Sequence, residues 1–350
     1  MVSGISGMNN GIFIISMDFE LAWGFHSNKK ATGFYKENII GARAAIPKLL
    51  DLFRKYNIHV TWAIVGALGC NSKNELLNLI NKELVYTKNH HSILDYIQEN
   101  VGENEDDDPL HFACSLIDVI KKYPNQYIAS HSFSHFFLLE PTLNQDDFEK
   151  DITAFQLIFP ETNTFVFARN QVTNEGITVL SKYGFKAYRG VQENAGPFNL
   201  YKEGKDKPFF IRALRFLDTY IPLSGYYDYS FDDLVSIQDF SPDKKHHCDQ
   251  LLNIRASSIL RPYKPELRLL ERLKIYRIKW GMKRTAKKRG IYHLYWHPHN
   301  VGINQVENLQ MIEEILAYYA ELHRKYGMES MSMEEVCEAY EKHKSPTCNK

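Results

Sequence analysis

The 350-residue chain lacks long apolar runs, cysteine pairs and a charge bias of either sign. No stretch of about 18 apolar residues occurs, so no segment reads as a membrane-spanning helix. Cys70, Cys114, Cys248, Cys337 and Cys348 are scattered and form no Cys-x2-Cys pair. That spacing argues against a thiolate zinc site and a disulfide framework, and it fits a reducing compartment. Lysine plus arginine equals aspartate plus glutamate, at 42 each, so no overall field draws the molecule to nucleic acid. Residues 1–11 show no basic segment followed by an apolar one, so no export signal is expected and the expected location is cytoplasmic. Repeats and low-complexity segments are also missing. What is present is 44% hydrophobic and 13% aromatic residues, enough for a sizeable core.

The most informative short stretch is His131-Ser132-Phe133-Ser134-His135. On a helical turn its two imidazoles would share one face and converge on one metal ion. The same spacing also suits two polar residues at a strand-to-helix junction. Residues 11–19 form a nearly continuous apolar run, the pattern of a strand buried on both faces. Alternation places Ile12, Ile14, Ser16, Asp18 and Glu20 on one side, so two carboxylates emerge together at the strand's C-terminal end. Parallel α/β folds assemble their sites at that edge. Residues 164–168 read as another apolar strand, ending in Arg169-Asn170-Gln171, where an arginine can orient a carboxylate or pair with a structural acid. Residues 291–296 read as a late strand that delivers His297-Pro298-His299.

Between these motifs the chain alternates helix and strand. An amphipathic helix is expected over 38–56, with Pro47 as a kink, followed by a strand over 59–65. Residues 23–35 read as an irregular loop facing substrate. Residues 71–124 form an insertion whose acidic run at 103–108 reads as a solvated turn rather than a calcium loop, with His90, His91 and His111 on the surface. Helices are expected over 144–159, 174–183 and 307–326, and strands over 127–130, 185–190 and, weakly, 217–223, with a last short element at 331–333. Residues 257–289 are helical in pattern and carry about a dozen lysines and arginines against Glu266 and Glu271. Such a helix can lie on anionic lipid or be a solvated face beside a sheet.

The set Asp18/Glu20, His131/His135, Arg169 and His297/His299 resembles the polysaccharide deacetylase family, the NodB-like carbohydrate esterases. The four motifs stand in the family's order from Ile12 to Asn300, the His131 motif matching most closely. The resemblance implies a single catalytic domain over 1–350, an α/β distorted (β/α) barrel of about seven parallel strands. It also implies hydrolysis of an acetamide on an amino sugar with zinc or a similar divalent ion (Co2+, Mn2+, Fe2+ or Ni2+). Asp18 would then be the base, Glu20, His131 and His135 the metal ligands, Arg169 the orienter of Asp18, and His297 the acid. The chain departs from the family pattern in three places. Phe19 separates the two acids, Asn170-Gln171 stands where a proline usually follows the arginine, and Asp218 is only a weak match for a further aspartate motif. The assignment of metal ligand between Asp18 and Glu20, and of acid between His297 and His299, stays open. The substrate implied is an N-acetylated sugar, nucleotide- or lipid-linked, used as a precursor of surface polysaccharide. Hydrolysis of a cyclic amide or ureide and a catalytically silent carbohydrate-binding protein are the alternatives.

Overall fold

The computed structural model describes residues 10–26, 29–86, 91–191, 209–225, 228–231, 233–234 and 251–344. Strand β1 (Ile12–Phe19) is buried along its whole length, and its alternation separates two cores. Phe13, Ile15, Met17 and Phe19 pack outward under helices, whereas Ile12 and Ile14 join a separate inner cluster. A 3-10 turn (Leu21–Phe25) leads to helix α1 (Lys29–Lys55) and strand β2 (Val60–Ile64). Helix α1 thus begins at Lys29 rather than residue 38, takes in part of the expected loop, and continues through Pro47.

The insertion holds structure of its own: α2 (Lys73–Leu79), the antiparallel pair β3 (Val85–Tyr86) and β4 (His91–Ser92), α3 (Ile93–Asn100) and α4 (Cys114–Lys122). Here two surface expectations are corrected. His111 is buried, with Nδ1 2.7 Å from Asp108 and Nε2 2.7 Å from the Tyr96 hydroxyl. Trp23 donates to the His111 backbone carbonyl at 2.9 Å, so this residue's main chain fastens the insertion to the turn that follows β1, while its imidazole ties together Asp108 and Tyr96 within the insertion. The acidic run is correspondingly not all solvated: Asp108 is buried, and Glu105 bonds Arg43 and the Ser115 N–H. His90 lies outside the described residues.

Strand β5 (Gln126–Ser130), α5 (Gln145–Ile158), β6 (Thr164–Val166), α6 (Asn174–Lys182) and β7 (Ala187–Arg189) continue the alternation. A reciprocal cap starts α5, Asn144 accepting from the Asp147 N–H and Asp147 from the Asn144 N–H. Next come α7 (Phe209–Asp218), β8 (Tyr229–Ser230), β9 (Leu252–Asn253) and β10 (Ser258–Ile259). The strand expected over 217–223 is instead the end of α7 and a turn, closed by Ser224 donating twice to Asp218. Helix α8 (Arg268–Lys288) is shorter than the expected 257–289, because Ser258 and Ile259 pair with β11 (Gly290–Trp296). Helix α9 (Gln305–Tyr326), β12 (Glu329–Ser330) and α10 (Met333–Lys344) complete the chain.

The main sheet runs β10-β11-β1-β2-β5-β6-β7-β9 with every neighbouring pair parallel; β12 joins β1, and β8 lies antiparallel to β11. Two adjacent residues close the curl. The Ala256 N–H donates to Gly190 at 2.8 Å and the Ser257 N–H to His293 at 2.8 Å, linking the ends of the path. The result is the expected distorted (β/α) barrel, with short extra strands. Met333, Val336, Cys337 and Tyr340 of α10 join Ile12, Ile14, Ala63, Ala129, Val166, Ala187 and Ile291 in an apolar cluster at one end of the barrel. Further along the strands the inward positions turn polar. Among the described residues no helix is long and apolar enough to cross a membrane.

Candidate active site

Above the apolar floor, β1 contributes Ser16 and Asp18, β7 contributes Arg189, and β11 contributes His293 and Tyr295. Arg189 is fully buried and grips Asp18 with two parallel bonds, Nη1 to Oδ1 at 2.5 Å and Nη2 to Oδ2 at 2.7 Å. The same Nη1 donates to Ser16 Oγ at 3.0 Å, and Ser16 Oγ lies 2.8 Å from His293 Nε2. The guanidinium plane also sits 4.2 Å over the Tyr295 ring. The guanidinium seated on Asp18 is therefore that of Arg189, not Arg169. Arg169 is exposed, adopts a left-handed φ of 55°, and stacks 3.9 Å over the Phe137 ring. The reason is position: β6 ends at Val166, so Arg169 lies beyond the barrel wall on the following turn, while Arg189 still occupies an inward strand position.

His131 and His135 converge, with ring centroids 5.0 Å apart, but not on a helical turn. The segment after β5 is a loop with left-handed φ at Ser132 (62°) and His135 (58°). Its shape is held from below by Asp151 of α5, fully buried, which accepts from the Phe133 N–H at 2.7 Å, the Ser134 N–H at 3.0 Å and the Ser134 hydroxyl at 2.5 Å. The His131 Nδ1–H donates to the Val166 carbonyl at 2.8 Å, which leaves Nε2 with the lone pair. Both Nε2 atoms face Glu20 Oε2, at 3.4 Å from His131 and 3.0 Å from His135. Glu20 follows β1 by one residue, so the in-line reading of Asp18 and Glu20 leads to two neighbouring but distinct partners.

His297 connects them. Its Nε2 lies 3.6 Å from both Asp18 Oδ2 and Glu20 Oε1, and its side chain is 24% exposed. His299, by contrast, is buried beside Phe25, with ring centroids 5.3 Å apart. Asp218 is not brought here; it pairs with Arg277 at 3.1 Å.

Burial would push the Asp18 carboxyl up, but the Arg189 guanidinium outweighs it and holds the group down at about 2. Burial opposes Glu20 ionisation too, and His297 and His135 outweigh it, keeping its pKa well below the usual range. Burial lowers the His135 imidazole to about 4 despite Glu20. For His131, burial is outweighed by Glu20 and Asp18, and its pKa is raised. Burial likewise lowers His299 to about 3.

Glu20, His131 and His135 fit a divalent metal. Their ligand atoms lie within 4.8 Å of one another, all three residues are buried, and the hydrogen bond from His131 to Val166 fixes the ligating nitrogen. Two imidazoles with one carboxylate make the donor set of a catalytic site with open positions, suited to zinc and its neighbours.

Sequence reasoning placed Ser16 beside Asp18 without giving it a role, and missed Arg189, His293 and Asp151. Arg189 lies within the strand read at 185–190, on the same face as Ala187 and Val191, and is the last residue of β7. Asp151 falls in the apolar helical stripe Phe148, Ile152, Phe155, where an unexplained carboxylate is itself a signal.

No family model matches the sequence, and no curated protein matches it. Solved structures do. A protein assigned as a polysaccharide deacetylase from Mycobacterium smegmatis superposes with a TM-score of 0.59 at 12% identity, covering 98% of this chain and 94% of that one. Puue allantoinase gives 0.54 at 10% identity, over 95% and 90%. A protein assigned as a polysaccharide deacetylase from Pseudomonas aeruginosa PAO1 gives 0.53 at 10% identity, over 95% and 91%. The chain thus has the NodB-like barrel fold of the polysaccharide deacetylases.

Proposed function

We propose that the protein is a metal-dependent hydrolase that removes the acetyl group from an N-acetylated sugar. The observation that carries this reading is the division of labour between two buried carboxylates: Asp18 is clamped by Arg189, while Glu20 faces two imidazoles. Glu20, His131 and His135 would hold a divalent ion, which would supply the Lewis acid that an amide carbonyl needs. Asp18, kept ionised, takes the proton of the attacking water. Arg189 fixes the direction in which both Asp18 oxygens point. His297, at the open side and within reach of both carboxylates, hands a proton to the leaving amine. His299, held neutral among aromatic rings, is the poorer donor.

A nucleotide- or lipid-linked sugar destined for surface polysaccharide is the proposed substrate class. The test is acetate release from a panel of N-acetylated sugars, free and nucleotide-linked, before and after chelation. Asp18→Asn is expected to cut the rate by about 10²–10⁴-fold while sugar binding persists. Sugar binding indifferent to chelator, with no acetate released, would instead support a silent binding protein. The allantoinase match favours one second reading, hydrolysis of a cyclic ureide or amide; turnover of such compounds with inert acetylated sugars would select it.

A further inference from the structure

The outer face of α8 carries a row of large apolar side chains that stand partly or largely exposed. Leu269, Leu273, Tyr276 and Trp280 recur at intervals of four, three and four residues, which places them on one line along the helix. They are 81%, 43%, 62% and 41% exposed. Lys283 and Lys287 continue the same row, and Arg268 and Arg272 stand exposed beside its start. None of these four cations has an ion-pair partner among the described residues. The helix has one acid, Glu271, and it is buried against Lys274; Glu266 stands exposed in the turn before the helix. Arg277, Lys279, Arg284 and Lys288 are already paired, with Asp218, Glu314 and, for the last two, Asp228.

A solvated face explains exposed cations but not four large apolar groups in line with them. Beside α8, tied to it through Asp218 and Arg277, α7 and its following turn expose Phe210, Leu217 and Ile221 as well. Contiguous exposed apolar surface rimmed by one sign of charge marks a docking surface. We propose that this face of α8 docks on an anionic lipid bilayer, its aromatic and leucine side chains entering the headgroup boundary and its four exposed cations facing lipid phosphates. Topology sets the orientation. Strand β10 runs parallel to β1 and leads to α8, so the helix starts at the edge where Glu20 and His297 stand and returns to the foot of β11. Leu269 and Leu273 therefore lie toward the site's end of the barrel. Docking of this kind is independent of the reaction inside.

The full-length protein is mixed with phosphatidylcholine vesicles, with and without phosphatidylglycerol, and followed by co-sedimentation and tryptophan emission. Trp23, Trp62 and Trp296 are buried, so a blue shift on anionic vesicles reports Trp280. Binding to anionic but not neutral vesicles, weakened by salt, is expected. The pair Lys283→Ala and Lys287→Ala is expected to weaken it about thirtyfold, from roughly fivefold per charge. The pair Leu269→Ser and Tyr276→Ser, the two most exposed of the row, is expected to abolish it with thermal unfolding unchanged. No sedimentation with anionic vesicles at low salt would overturn the proposal, as would binding that ignores the serine variants. A dimer in solution that the serine variants dissociate, without vesicle binding, would make a second copy of the chain the occupant instead.

Discussion

Removal of the Arg189 guanidinium tests the interior of the site most sharply. Arg189 is 0% and Asp18 5% exposed at the side chain, and two bonds join them. Arg189→Met leaves a carboxylate buried without its partner, a change that costs about 3–5 kcal/mol. Against a total stability of about 5–15 kcal/mol for a typical domain, that is a large fraction. Arg169→Met, at an exposed residue stacked on Phe137, is expected to cost within about 1 kcal/mol. Without Arg189, burial dominates and the Asp18 pKa rises, so the acid limb of any activity profile moves to higher pH. The double variant Asp18→Asn with Arg189→Met is expected to cost less than the sum of its parts, because no lone charge remains. Urea unfolding of the parent, the single variants Arg189→Met, Arg169→Met and Asp18→Asn, and the double variant, extrapolated linearly, measures each term. A mild Arg189→Met with a severe Arg169→Met would refute the assignment of Arg189 as the residue that holds Asp18.

Two further outcomes follow from the loop and the buried acids. Asp151→Asn weakens the bonds that shape residues 131–135 without touching a ligand, and is expected to lower metal affinity about 10–100-fold in a chelator competition. In metal-free protein, Asp18 has a folded pKa of about 2 against an ordinary 3.8, so its stabilisation, about 2 kcal/mol, is present above pH 4 and is lost as pH falls through 2. Asp151 acts in the opposite sense: burial raises it to about 6, so its contribution falls as pH rises from 4 to 6. Urea midpoints across this range, compared with those of Asp18→Asn and Asp151→Asn, separate the two slopes.

The barrel was legible because β1, β2 and β11 write their burial as apolar runs, and because alternation along β1 correctly puts Ser16 and Asp18 inside. Glu20, His131, His135 and His297 meet for the same reason, each following a parallel strand at one edge. What alternation cannot give is how far each strand extends before the chain turns. Arg169 and Arg189 both follow apolar strands, yet only Arg189 remains within the wall. The histidine loop also looked helical by spacing, since two left-handed residues and a carboxylate from α5 bring the rings together with no local pattern. His111 was hidden similarly: its burial depends on Tyr96 and Asp108, which meet it only once the insertion folds over Trp23.

The central claim is a divalent metal held by Glu20, His131 and His135. Elemental analysis of the purified protein, with His131→Ala, His135→Ala and Glu20→Gln beside it, tests that most directly. About one zinc, cobalt, manganese, iron or nickel per chain is expected in the parent, from a single three-ligand site, and its loss is expected in each variant. A parent that takes up no metal even after reconstitution, or variants that keep it, would contradict the account.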